Sequence, residues 1–244
     1  MKMKLVAGTL LSMMMTAPFA QEVSSLNNDT DKISYSIGVD LGSTIQSKGI
    51  SINVPAMAQG INDGISGDST KLLLKPEEMK EVLAMFQKNM MAKATAQFES
   101  LAKDNQTKGS EFLKANKDKP GVVTLPSGLQ YKIVTEGKGP KPKATDTVTV
   151  EYKGTLINGT EFDSTDASGK PATFALNQVI RGWTEGLQLM PVGSTWEFYV
   201  PSQLAYGSRS VGNVIGPNET LIFTVKLISI AKTDTKDAKE KDKK

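Results

Sequence analysis

The chain has 244 residues, of which 39% are hydrophobic and 23% charged, with a formal net charge of +3. Cysteine and histidine are both absent. That excludes disulfides, thiolate or imidazole metal sites, a cysteine nucleophile and a Ser-His-Asp triad, and leaves only oxygen-ligated cations such as Mg²⁺ or Ca²⁺ open. Proton transfer near neutral pH would need a strongly shifted carboxyl, lysine or tyrosine, so an enzymatic reaction that needs neither nucleophile nor base fits best. Of the 29 basic residues only Arg181 and Arg209 are arginine. Guanidinium forks do much of the phosphate and base reading in nucleic-acid proteins, so no nucleic-acid partner is expected.

Lys2 and Lys4 precede an apolar run over residues 5–15. The run is too short to cross a hydrocarbon core of about 30 Å, and Ala17-Pro18-Phe19-Ala20 offers a cleavage point after Ala20. Residues 1–20 are therefore expected to be an export signal, although Pro18 departs from the small-x-small pattern. No lipoprotein cysteine follows, and no later segment approaches a transmembrane length.

From Asp31 onward Ile33, Ile37, Leu41 and Ile45 recur at helical spacing, with Gly49 as the stop. A second helix is predicted over 54–65, with Met57, Ile61 and Ile65 on one face. Pro76 suits the first turn of a third helix, and Glu77 and Glu78 favour its N-terminus. Its apolar stripe is Met79, Val82, Leu83, Phe86 and Met90, and Pro120-Gly121 ends the run. At 1.5 Å per residue a helix of about 40 residues is about 60 Å long, more than one small domain covers. The short helices before it make a marginal core alone. A helical bundle within one chain is the alternative to pairing with a second copy; we expect the second, with residues 21–75 a helical dimerisation domain, 76–118 a long linker helix, and the protein a homodimer.

After Pro120 the apolar period becomes two. Leu129, Tyr131 and Ile133 open the series, followed by Val148, Val150 and Tyr152, by Trp196, Phe198 and Val200, and by Leu221, Phe223, Val225 and Leu227. Asn158-Gly159 predicts a two-residue hairpin turn between strands at 151–157 and 160–163. The expectation is an α+β domain over 122–232, an antiparallel sheet of about five strands wrapped on one short helix between Arg181 and Met190. Residues 233–244 carry no periodicity and read as a charged disordered tail.

Several apolar and aromatic residues fall where strands end or loops begin: Tyr152, Phe162, Val179, Ile180, Trp183, Tyr206, Ile215 and Phe223. Such positions can rim an apolar concavity, and some must also serve the core. Asp163 is open between a place in that concavity and an ion pair with Arg181 or a lysine.

The blocks VEYKGTLINGTEFDS (150–164), VIRGWTEG (179–186), LAYG (204–207) and IGPNETLIF (215–223) closely resemble the FKBP family of peptidyl-prolyl cis-trans isomerases. Together with KISYSIG (32–38), LPSGLQY (125–131) and the export signal, they resemble that family's macrophage infectivity potentiator branch. The resemblance implies an exported, dimeric proline isomerase of Gram-negative bacteria, periplasmic or at the outer membrane, with chaperone-like activity and a role in host infection. It implies no cofactor and no metal. Its partners would be Pro-containing polypeptides and macrolide inhibitors such as rapamycin.

Carried over residue by residue, Tyr152, Phe162, Val179, Ile180, Trp183 and Phe223 would line the substrate pocket, with Trp183 as its floor and Ile215 on a flap loop. Asp163 and Tyr206 would be the catalytic pair, Tyr206 donating to a substrate carbonyl. Val211 and Ala172 stand where many members carry histidine and an aromatic, so altered peptide preference is expected. A non-catalytic binder of Pro-containing segments is the alternative, and acceleration of peptide isomerisation at substoichiometric protein separates the two.

Overall fold

The computed structural model describes residues 25–166 and 168–231. The predicted export signal and charged tail lie outside the described residues. The chain divides into two units, residues 1–83 and 84–244.

The first unit is helical. Helix α1 (Asp29–Ser47) starts where Asn28 Oδ1 accepts the Asp31 amide at 2.9 Å, filling one of the unpaired first-turn donors. Helix α2 (Val54–Ser66) is capped in the same way by Asn53, with Pro55 in its first turn, and Gly67 ends it at φ 66°. Helix α3 (Pro76–Asn116) begins with Glu78 Oε2 accepting the Lys75 amide at 2.8 Å. The boundary between the two units falls within α3. No residue of α1 or α2 is buried. The apolar stripes set by the four-residue spacing stand open, with Ile33 60%, Ile37 63% and Ile65 81% exposed.

The second unit holds a seven-stranded antiparallel sheet: β1 (Val122–Thr124), β2 (Gln130–Thr135), β3 (Thr147–Leu156), β4 (Glu161–Ser164), β5 (Ala172–Ala175), β6 (Thr195–Val200) and β7 (Leu221–Ala231). The path runs β1-β2-β6-β7-β3-β4, and β5 takes the other stretch of the outer edge of β3. Seven strands replace the expected five because β1 and β5 have three and four residues, too few to show a two-residue period.

The Asn-Gly turn also differs from expectation. Gly159 N donates to Leu156 O and Leu156 N to Thr160 O, so the loop is longer than two residues. Only Gly159 takes a positive φ, of 86°, while Asn158 Oδ1 instead accepts the Thr160 amide. A glycine in the left-handed region after a turn is the bulged three-residue form of a hairpin loop.

One face of the sheet is the core. Val148 and Val150 of β3, Phe198 and Val200 of β6, and Leu221, Val225 and Leu227 of β7 have no exposed surface. Helix α4 (Arg181–Leu187) lies on this face, and the spacing of Gly182 and Gly186 explains how closely. Four residues apart, they share one side of the helix. A Cβ at Gly182 would fall 2.5 Å from Val200 Cγ1, and one at Gly186 would fall 2.5 Å from a ring carbon of Phe198. The last turns of α3 belong to the same unit. Buried Asn116 donates to Gln130 Oε1 at 3.0 Å, and Gln130 Nε2 donates to Leu113 O at 2.8 Å.

Candidate active site

A cavity of about 260 Å³ opens where α4 meets the outer half of the sheet, lined by aromatic and aliphatic side chains. Trp183 lines it from the first turn of α4, so the close seating of that helix sets the depth of the indole. Three rings meet the indole edge-on: Tyr152 at 5.2 Å, Phe223 at 5.3 Å and Phe174 at 5.7 Å between centroids. Edge-to-face pairs of this kind contribute about 0.5–1.5 kcal/mol each beyond their buried area.

Phe162 closes one wall, 5.5 Å from Phe223 and nearly perpendicular to it. It can do so because β3 carries glycine beneath it. A Cβ at Gly154 would lie 2.6 Å from the Phe162 ring. Val179 and Ile180 form the lip where the chain enters α4, and Ile180 O accepts the first amides of the helix, from Trp183 and Thr184.

The polar groups are few. The Tyr152 hydroxyl donates to Asp163 Oδ2. Asp163 is in no ion pair among the described residues, so the alternative pairing with Arg181 or a lysine is not what the structure has. The Tyr206 hydroxyl makes no hydrogen bond to another described residue. Burial pushes the Tyr152 phenol up from its ordinary value, and its hydrogen bond to Asp163 adds to this. Burial and then the charge of Asp163 raise Tyr206 as well. Both phenols therefore keep their protons through the physiological range, and the Tyr206 hydroxyl is left as a free donor on the cavity lining.

Ile215 lies in an adjoining cavity of about 210 Å³, which shares Phe162, Asp163 and Tyr206 with the first. Its outer wall is the loop from Val211 to Ile215, closed by mutual amide–carbonyl bonds of 2.9 and 3.3 Å and turned at Gly212 with φ 58°. The base of this flap is tied to α3. Asn105 Nδ2 donates to Pro217 O at 2.9 Å, and Asn218 Nδ2 donates to Ala102 O at 3.2 Å.

The structure thus brings Tyr152, Phe162, Asp163, Val179, Ile180, Trp183, Tyr206 and Phe223 around one hollow, with Ile215 in the next. Sequence reasoning missed Phe174 and Gln178. Phe174 sits on β5, where it pairs with Val148, and its ring supplies an aromatic near the position that Ala172 leaves small. Its signal was an aromatic following Lys170-Pro171, in a run too short to read as a strand.

Comparison with known proteins places the chain. The family model of FKBP-type peptidyl-prolyl cis-trans isomerase matches residues 139–228, and that of the domain amino terminal to it matches residues 30–133. The chain is 59% identical to the outer membrane protein MIP of Legionella longbeachae over 233 residues, 95% of this chain and 99% of that one. It is 44% identical to the peptidyl-prolyl cis-trans isomerase Mip of Coxiella burnetii, over 87% of this chain and 92% of that protein. The crystal structure of FkpA from Escherichia coli superposes with a TM-score of 0.69 at 36% identity, covering 84% of this chain and 98% of that one. This protein belongs to the FKBP-type peptidyl-prolyl cis-trans isomerases.

Proposed function

We propose that this isomerase rotates X–Pro bonds in the cavity floored by Trp183, by fitting the twisted amide better than either planar isomer. Amide resonance raises the rotation barrier to about 18–20 kcal/mol. The planar amide owes its stability to a charge-separated form that water favours and a dry hollow disfavours. A half-turned proline has lost that form already, so an apolar, shaped cavity favours it selectively. The Tyr206 hydroxyl holds a carbonyl of the bound segment, and Asp163, held by Tyr152, faces the rotating amide. The observation that carries this reading is a cluster of five aromatic side chains, Tyr152, Phe162, Phe174, Trp183 and Phe223, that lines one cavity together with the free hydroxyl of Tyr206.

Exchange of a short X–Pro peptide, followed by NMR or by protease coupling, tests it. Removing one hydrogen bond costs about 0.5–1.5 kcal/mol, so Tyr206→Phe should lower kcat/KM by about 2- to 12-fold. Asp163→Ala should cost at least as much with the fold preserved. Rapamycin should compete with the peptide. Variants that isomerise at the parent rate would show that the cavity is not the site.

The exposed stripes on α1 and α2 support a homodimer through the first unit. Burying a side chain such as Ile33 or Ile37 contributes about 1.5–3 kcal/mol, which a second copy of the same face would supply. Light scattering should give twice the chain mass for the full protein and a monomer after removal of residues 21–75. The export signal and the Legionella relative's name, outer membrane protein MIP, support a periplasmic or outer-membrane location in a Gram-negative cell, and the resemblance to the macrophage infectivity potentiator branch supports folding assistance to exported proteins and a part in infection. Mature protein beginning at Gln21 is the expected product of export.

A further inference from the structure

A second groove, of about 480 Å³, continues from the cavity past Val179, Ile180 and Tyr206, which line both. Arg181 and Arg209 line it as well. These are the only arginines in the chain, while the other basic residues, 29 less these two, are all lysine. No carboxylate among the described residues lines the groove. Neither arginine is in an ion pair among the described residues, and both are exposed. Arg181 is held in place, since its Nη2 donates to the Gln203 carbonyl, which leaves most of its five N–H donors free. It stands two residues before Trp183, and Arg209 three residues after Tyr206, so both side chains spring from the segments that build the cavity.

We infer that this groove is an anionic subsite, which takes the carboxylate of an Asp or Glu flanking the X–Pro pair of the bound segment. The inference rests on the cavity being where proline sits. A guanidinium grips a carboxylate through two parallel hydrogen bonds, whereas an ammonium acts as a point charge. Two guanidinium groups free of ion pairs in one groove therefore offer positional recognition that the scattered lysines cannot. An extended peptide advances about 3.3 Å per residue, so a residue one to three positions from the proline reaches the groove while the ring stays over Trp183.

The test measures kcat/KM of the full-length protein on matched X–Pro peptides carrying Glu or Gln within three residues of the proline, on either side. A third set places Glu six residues away, where only long-range attraction by the net charge acts. Exposed charge pairs contribute about 0.2–1 kcal/mol each, so with two guanidinium groups the proximal Glu peptide should exceed its Gln partner by about 2- to 30-fold at low salt on one of the two sides. The ratio should shrink toward one in 0.5 M salt (Debye length below about 5 Å).

Arg209→Gln should remove most of the ratio and leave the rate on the Gln peptide unchanged. Arg209→Lys should restore part of it. Arg181→Gln alone should also lower the Gln-peptide rate, because Arg181 supports the Gln203 segment beside Tyr206. A Glu/Gln ratio of one at low salt on both sides, a distal Glu as effective as a proximal one, or a ratio untouched by Arg209→Gln would overturn the subsite. With Gln peptides still isomerised and still sensitive to Tyr206→Phe, any of these results would leave the proline cavity standing. Insensitivity of the Gln peptide to Tyr206→Phe would overturn both.

Discussion

Replacing Gly109 by alanine asks whether the end of α3 is clamped to the isomerase sheet. On an exposed helix the change stabilises by about 1 kcal/mol, because alanine gives up less backbone freedom than glycine. Here a Cβ would stand 2.3 Å from Thr220 Oγ1 and 3.2 Å from Thr220 Cβ. Thr220 is 3% exposed, and a β-branched side chain has few χ1 wells to retreat into. Overpacking of this kind costs about 1–3 kcal/mol, which outweighs or cancels the helix gain and leaves a net loss of up to about 2 kcal/mol.

In a Thr220→Ala background the obstructing oxygen is gone, and the same Gly109→Ala change should stabilise by about 1 kcal/mol. The coupling energy between the two sites is then about 1–3 kcal/mol, well above the about 0.5 kcal/mol expected of independent positions. Urea unfolding followed by tryptophan fluorescence reads it cleanly. The chain has two tryptophans, Trp183 and Trp196, and both are buried in the strand-bearing unit. If Gly109→Ala stabilises equally in both backgrounds, the contact between α3 and the flap base does not exist in solution.

Two further outcomes follow from the packing and the charges. Gly186→Ala would set a methyl against the fully buried ring of Phe198, with ring carbons at 2.5, 2.9 and 3.1 Å. It should destabilise by about 1–3 kcal/mol and reduce peptide isomerisation as α4 lifts the indole of Trp183; a variant of parent stability and rate would refute the seating argument. Alkaline pH should destabilise the protein. Burial raises Tyr152 and Tyr206 above the ordinary 10.0 and pushes Tyr199 up to about 12. Below pH 10 folded and unfolded chains both hold these protons; above it the unfolded chain releases them first, so stability falls as pH rises. Urea midpoints measured at about pH 9 and pH 11 check the sign, and a midpoint that rises over that interval contradicts it.

What the sequence disclosed depended on how local each signal is. Helices α1, α2 and α3 are announced by four-residue spacing and by their caps, which involve residues no more than three apart, so their spans were legible to within about two residues. The long strands β3, β6 and β7 showed their alternation because each buries one face. Strands β1 and β5 did not, and Phe174 went unseen with β5. The hairpin loop misled because Asn-Gly serves both the two-residue turn and the bulged one, and the choice lies in φ at Asn158, which no residue identity fixes. The arginine groove was equally hidden. Arg181 and Arg209 were conspicuous as the only arginines, but only the fold brings them into one groove.

The site residues were legible as a set because family motifs carry them, yet what holds them lies partly outside those motifs. Trp183 is set by Gly182 and Gly186 and Phe162 by Gly154, all within the motifs themselves, whereas the flap base is held by Asn105 on α3, outside them and far away in sequence. This arrangement follows from the chemistry. A reaction without nucleophile or base gains only from how much better the cavity fits the twisted amide than the planar one, and each tenfold in rate needs about 1.4 kcal/mol of that difference. A wall that yields to the planar form gives the difference away. Rotation by shape therefore selects small residues where backbones must touch, and the seat of each ring matters to the rate as much as the ring.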